Sequence, residues 1–326
     1  MTANVEIGLA MENFVAHPAS PSPSRLMRYA EHAESLGFDS LWLWDHLLLG
    51  TTKAFPVLDS LSMLAALAVR TERVKLGTGV LILPLRNPVE LAKTTATIDH
   101  LSNGRLILGV ATGWYQKEFA ARGVPFHRRG KITERNLAVL RQFWTEHEVN
   151  GDADEMVFRR AVMLPKPVQR PTPLLLMGGY VDRVLKRVAT TSDGWLTYFY
   201  KSQDFAESWQ RVREHAEEAG RDPDTLKNAS QLPFCVADTY SEADRKVKDF
   251  LARNFDQPEW SKATFDSAIR GTAEQCVEQL LEHIAVGSQH LILVPWEYEE
   301  SQVEALASEI VPKLGSVSHR FQGYAS

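Results

Sequence analysis

The stretch from Val74 to Trp114, VKLGTGVLILPLRNPVELAKTTATIDHLSNGRLILGVATGW, holds two apolar runs that end in small residues and bracket one amphipathic helix. Val74 to Leu83 is rich in Val, Leu and Ile without sustained polar alternation, as expected of a parallel strand buried on both faces. Asn87 is placed to cap a helix with Pro88 at its first position, and Leu91, Thr94, Thr95, Ile98 and Leu101 share one face before Ser102-Asn103-Gly104 ends it. Leu106 to Val110 is the next strand. The unit is therefore strand, helix, strand. Thr78-Gly79-Val80 closes the first strand and Ala111-Thr112-Gly113 follows the second, where a missing Cβ lets backbone approach a flat ligand. Ordinary barrel packing and turn punctuation are the alternative reading of these glycines.

The same unit recurs on both sides. Val5 to Leu9 and Ser40 to Leu43 read as strands, the second running into Trp44-Asp45-His46, and helices follow around Leu26 to Ala33 and Asp59 to Val69. Downstream, strands are expected at Leu174–Met177, Gly194–Leu196, Leu232–Val236 and Leu291–Val294. Helices are expected at Ile132–Trp144, Val181–Thr190, Gln203–Ala219, Gly271–His283 and Gln302–Leu314. Val149 to Met163 reads as a hairpin turning at Gly151-Asp152, and Gly123–Phe126 as a loop or lid over the site. Asp238 to Arg270 exceeds an ordinary connection and is expected to be an inserted region, around 238–270, that shapes the substrate side. The short polar tail after Gly315 is expected to be poorly ordered. Residues 1–326 thus read as a single α/β domain, a TIM (β/α)8 barrel with insertions. In such a barrel the site lies where strands end, so Asp45, His46, Thr78, Gly79 and Trp114 converge by topology.

Composition narrows the function. With a net charge of −5 and basic residues scattered among acids, the chain has no electrostatic footprint for nucleic acid or an anionic membrane, and a small-molecule partner is expected. The start, MTANVEIGLAMENF, lacks a basic region followed by a long apolar one, and no apolar run approaches the ~20 residues that span a bilayer; a cytoplasmic protein is expected. Cys235 and Cys276 stand alone without metal-ligand spacing, so buried free thiols and no metal site are expected. GxxxxGK[ST], HExxH and GxSxG are all missing, which leaves kinase and hydrolase readings unsupported.

GTGV, then Pro84, then the Asn87-Pro88 helix, then LSNGRLILGVATGW, in that order, resemble the luciferase-like oxidoreductases, TIM barrels that bind FMN or the deazaflavin coenzyme F420. The likeness covers nearly the whole chain and is specific to the superfamily rather than to a substrate. It implies a bulge at Thr78-Gly79-Val80, with a cis Gly79-Val80 peptide, behind the coenzyme ring. It implies that Asp45 holds the coenzyme and His46 supplies an acid, that Thr112-Gly113 contacts the coenzyme, and that Gly178-Gly179, with Val181 and Asp182 as backbone donors, binds its phosphate at a helix N-terminus. The pattern also departs from the F420-dependent glucose-6-phosphate dehydrogenases, because Trp114 stands where those enzymes carry a catalytic Glu. Glu118, one helical turn on, is then the remaining candidate acid, with a solvated or capping carboxylate as the alternative. Trp44, Trp114 and Trp195 are candidates for the substrate pocket wall.

The implied function is F420-dependent hydride transfer involving a small organic substrate. The alternatives are an FMN-dependent monooxygenase fed by a separate flavin reductase, or a non-catalytic cofactor-binding or subunit partner. A homodimer is implied by the resemblance alone.

Overall fold

A computed structural model describes residues 5–50, 54–153, 156–254 and 258–314. Eight strands form in the expected order: Glu6–Ala10 (β1), Ser40–Leu43 (β2), Lys75–Thr78 (β3), Leu106–Ala111 (β4), Leu174–Gly178 (β5), Gly194–Tyr198 (β6), Lys227–Val236 (β7) and His290–Pro295 (β8). Each pairs in parallel with the next, and β8 returns to β1. The ring is closed, so the expected TIM barrel is the fold.

Alternation along each strand explains why both faces are apolar. Ala10, Trp42, Ile107, Leu176, Leu196 and Ile292 pack together along the barrel axis, while Leu9, Leu41, Leu108 and Leu175 pack with the surrounding helices. The Trp42 indole fits only because Gly77 has no Cβ, since one there would lie 2.4 Å from the ring. Asn87 caps the Pro88–Leu101 helix as read, its side-chain oxygen accepting from Val89 N at 2.9 Å. Arg105, in the GR of the decisive stretch, donates to the carbonyls of Ala68, Thr71, Val74 and Ser102, tying the entries of β3 and β4 together.

The differences from expectation have local causes. The first apolar run is broken: β3 stops at Thr78, the Gly79–Val80 peptide is cis, and a separate short strand, Leu81–Ile82, pairs with the end of β4. β7 begins at Lys227 rather than Leu232; polar Asn228 hid it, although its side chain bonds the Gly287 carbonyl. Gly151 and Asp152 lie inside a strand, opposite Phe158 and Val157, so they are not the turn of the hairpin. Gly123–Phe126 is not a lid: Val124 and Phe126 pack on Ile82, Leu85 and Phe119 instead. A helix not foreseen, Gln116–Ala121, precedes that loop. The 238–270 segment carries helices Tyr240–Asn254 and Pro258–Ser267 before the strand Ile269–Gly271 joins the edge of β7. The tail after Gly315 lies outside the described residues. Among the described residues no helix is long and apolar enough to cross a membrane.

Candidate functional site

A cavity of about 450 Å³ opens at the C-terminal ends of the barrel strands, the end that topology singled out. Gly79 and Val80 line it, and Gly178 faces them: a Cβ on Gly178 would lie 3.3 Å from the Val80 side chain, and one on Gly79 would lie 2.7 Å from the Gln231 carboxamide. Both glycines therefore sit where a side chain would press on neighbouring protein atoms. Thr112 and Gly113 also line the cavity. Thr78 does not, which corrects its reading as a coenzyme contact. Its hydroxyl donates to the Gly109 carbonyl at 2.7 Å, where the side chain ties β3 to β4.

Asp45 sits directly after β2, buried, and lines the cavity. Its carboxylate accepts from Ile82 N at 3.0 Å, Ser60 Oγ at 3.0 Å and Arg86 at 2.6 Å. It thereby anchors the backbone just past the bulge. His46, in the loop after β2, is paired with Glu118, in the short helix Gln116–Ala121 after β4. Glu118 is fully buried, and its carboxylate accepts from His46 Nδ1 at 3.0 Å and from the amides of Leu47 and Leu48 at 2.6 and 3.0 Å. A carboxylate can only accept, so Nδ1 carries the proton and Nε2 is the nitrogen left for chemistry on the cavity side of His46. Glu118 itself does not line the cavity. Both earlier readings of it change: it is not a solvated carboxylate, and it meets the cavity only through its hydrogen bond to His46.

After β5 the chain turns through Gly178 and Gly179 into the helix Asp182–Thr191, with Val181 at its N-cap. Gly179 has φ +145°, and a Cβ there would lie 2.6 Å from Val184. The helix N-terminus and Val181 thus border the cavity with no side-chain cap. Asp182 does not line it; its carboxylate turns to Arg211 at 2.5 Å and His215 at 3.0 Å, the latter pulling the Asp182 pKa down. Arg183, in the first turn of this helix, stands near Arg129, whose pKa is lowered first by burial and then by that second guanidinium.

Trp44 and Trp114 line the cavity as expected, with Trp114 packed edge-on against His46 at 6.2 Å. Trp195 does not. It is one residue out of phase with Leu196, which faces the axis, so its indole points outward and stacks on Phe205 and Trp209 at 5.4 and 6.4 Å. Its Nε1 donates to the Gly179 carbonyl at 2.9 Å, which fixes the glycine turn from behind. Sequence reasoning missed Glu12, Phe199 and Glu297, which line the cavity just past β1, β6 and β8, although the same strand-end rule reaches all three. Glu12 has its pKa raised by burial, with Arg25 opposing and Glu297 adding to the rise. Among the described residues no cluster of His, Cys, Asp and Glu is arranged to hold a metal ion, and both cysteines are buried free thiols.

The model of the luciferase-like monooxygenase family matches residues 5–290. An uncharacterized protein of Mycobacterium tuberculosis is 36% identical over 43% of this chain, and the match spans only half of that relative's length. The F420-dependent glucose-6-phosphate dehydrogenase of Amycolatopsis mediterranei is 25% identical over 90% of this chain and 95% of its own. Among solved structures, a type II Baeyer-Villiger monooxygenase constituent from Pseudomonas putida in complex with FMN superposes with a TM-score of 0.80 at 17% identity, covering 95% of this chain and 99% of that one.

Proposed function

The chain belongs to the luciferase-like monooxygenase family, and on that premise we propose that it is an oxidoreductase that binds coenzyme F420 and acts on a small organic substrate. The observation that carries the proposal is the lining of the cavity at the strand ends, where Gly79, Val80, Gly178 and Gly179 lie in a largely apolar, aromatic wall that also holds His46, a surface that suits a flat ring. Gly178, Gly179 and the amides at Val181 and beyond would hold its phosphate, because a helix N-terminus presents unpaired N–H groups and positive potential. Thr112 and Gly113 would meet the ring from the β4 side.

When bound, a reduced deazaflavin supplies a hydride to substrate. The protein's part is position and a proton. Glu118 holds His46 with Nδ1 protonated, and Nε2 in its protonated form delivers a proton to a substrate atom lying within hydrogen-bond reach. Asp45 keeps the bulge in place through Ile82. The aromatic wall around Trp44 and Trp114 excludes water and equally suits the alternative, an FMN-dependent monooxygenase served by a separate reductase. The proposal treats residues 1–326 as one barrel unit, active as a homodimer; sedimentation showing only monomer rejects the latter.

Titration of the apoprotein with F420 and with FMN, followed by reoxidation of each reduced coenzyme with and without oxygen, tests the reading. Tight F420 binding with oxygen-insensitive turnover of an added acceptor supports it. FMN binding with substrate-stimulated oxygen consumption replaces it by the alternative, and binding of neither coenzyme replaces both by a non-catalytic role. His46→Ala should lower turnover more than coenzyme affinity.

A further inference from the structure

We infer that the molecule transformed at this site is uncharged and largely apolar, with one polar atom presented to His46, and that the cavity refuses phosphate and carboxylate substrates. The word "transformed" rests on the oxidoreductase reading above; the chemical class rests on the wall of the cavity.

The charged side chains that line the cavity are Glu12, Glu297, Asp45 and His46, and among the described lining residues there is no Lys or Arg. Asp45 is already matched by Arg86. Glu297 lies close enough to Glu12 to disfavour the Glu12 charge, and the cationic partners of the two, Arg25 at 2.9 Å and Arg253 at 2.5 Å, have side chains 50% and 62% exposed and do not line the cavity. An anionic substrate would therefore lose its water beside two carboxylates with no cation to receive it, which is strongly unfavourable. The coenzyme phosphate has its own place at the helix N-terminus beyond Gly179, so the refusal applies to the substrate side alone.

The roof over that side belongs to the inserted helices rather than to the barrel. Val247, Phe250 and Leu251 come from Tyr240–Asn254, and Trp260 and Thr264 from Pro258–Ser267. Trp260 joins roof to mouth: it stacks on Tyr198 at 5.7 Å and tilts against Trp114 at 5.8 Å. Polar tips along this wall are already bonded to protein. Thr264 donates to the Trp260 carbonyl at 2.7 Å, and Tyr180 donates to the Tyr198 carbonyl at 2.8 Å. His46 Nε2 and the unpartnered Trp44 Nε1 are then polar groups that can orient a substrate atom, and the inserted helices over them select for apolar surface.

The test is isothermal titration calorimetry of the full chain saturated with F420, or with FMN where only FMN binds, so that the phosphate place is filled, using four probes of matched size. These are cyclohexyl methyl ketone, cyclohexanecarboxylate, cyclohexyl phosphate and cyclohexylmethylammonium. The ketone should bind about tenfold or more tighter than either anion. Glu12→Gln and Glu297→Gln should each raise carboxylate affinity several-fold while leaving the ketone unchanged, and Trp260→Ala should weaken the ketone about tenfold. An anion that binds as tightly as the ketone, an ammonium that binds tightest, or no measurable binding of any probe overturns the inference. F420 and FMN titrations on the same protein separate the two failures: if neither coenzyme binds, the oxidoreductase reading falls, whereas coenzyme binding combined with anion preference removes only the substrate class.

Discussion

Replacing Glu118 by Gln changes one atom type at the centre of the site. In the wild type the carboxylate accepts three hydrogen bonds, from His46 Nδ1 at 3.0 Å and from the amides of Leu47 and Leu48 at 2.6 and 3.0 Å. The glutamine oxygen can still accept from the two amides, but its NH₂ then faces His46 Nδ1. Two donors cannot share that contact, so the imidazole must move its proton to Nε2 or turn away. The lost bond is to a charged group, worth about 1.5–3 kcal/mol, and its neutral replacement returns about 1 kcal/mol. A net loss of about 0.5–2 kcal/mol is expected in urea unfolding. Glu118→Ala removes all three acceptors and should cost more, about 2–4 kcal/mol, because the amides of Leu47 and Leu48 lose their partner as well. Turnover should fall about 10²–10⁴-fold in Glu118→Gln, the usual worth of a positioned acid or base, with coenzyme affinity little changed. Histidine ¹⁵N NMR is the deciding assay, since it reports which ring nitrogen carries the proton. A Glu118→Gln protein in which His46 keeps its proton on Nδ1, or which turns over at the wild-type rate, would refute the positioning argument.

Three further outcomes are expected. Gly179→Ala places a Cβ 2.6 Å from Val184 at φ +145°, so coenzyme titration should show affinity reduced about tenfold or more, and unchanged affinity would dissociate this turn from the phosphate. Arg105→Ala leaves the carbonyls of Ala68, Thr71, Val74 and Ser102 without their shared donor; a loss of about 3 kcal/mol or more is expected in urea unfolding, and less than 1 kcal/mol would show that water replaces the guanidinium fully. Burial lowers the pKa of His283 and His290 to about 4. Between pH 6.5 and 4 the unfolded chain therefore binds more protons than the native one, so their stabilisation is complete above pH 6.5 and is lost as pH falls, by about 2 kcal/mol per histidine at pH 5. An unfolding midpoint in urea that is equal at pH 7.5 and pH 5 in the wild type, or that drops equally in a His283→Phe, His290→Gln double variant, would contradict this.

The repeating strand and helix units were legible because burial on both faces of a parallel strand leaves an unbroken apolar run, and because Asn87-Pro88 and Gly104 punctuate the helix between two of them. Residues that end strands were legible for the same reason, since the barrel brings strand ends together whatever the side chains are. That rule named Asp45, His46, Thr78, Gly79 and Trp114, and all but Thr78 line the cavity. It could not say which way a side chain points. Trp195 and Leu196 are neighbours in sequence, yet the pleat sends one to the helices and the other to the axis. Thr78, whose residue type suits ligand binding, is turned to the Gly109 carbonyl, 31 residues away, and the carboxylate of Asp182, a residue named only for its backbone N–H, is held by Arg211, 29 residues on. Glu118 shows the same limit from the other side. Its position in the chain suggested an acid near Trp114, but its burial and its bond to His46, 72 residues earlier, exist only after a loop and a short helix have packed together. Local periodicity and chain order determined the barrel and the end at which chemistry is expected. Contacts between loops distant in sequence decided which residues face the cavity, because such contacts depend on strand register and side-chain phase that no single segment encodes.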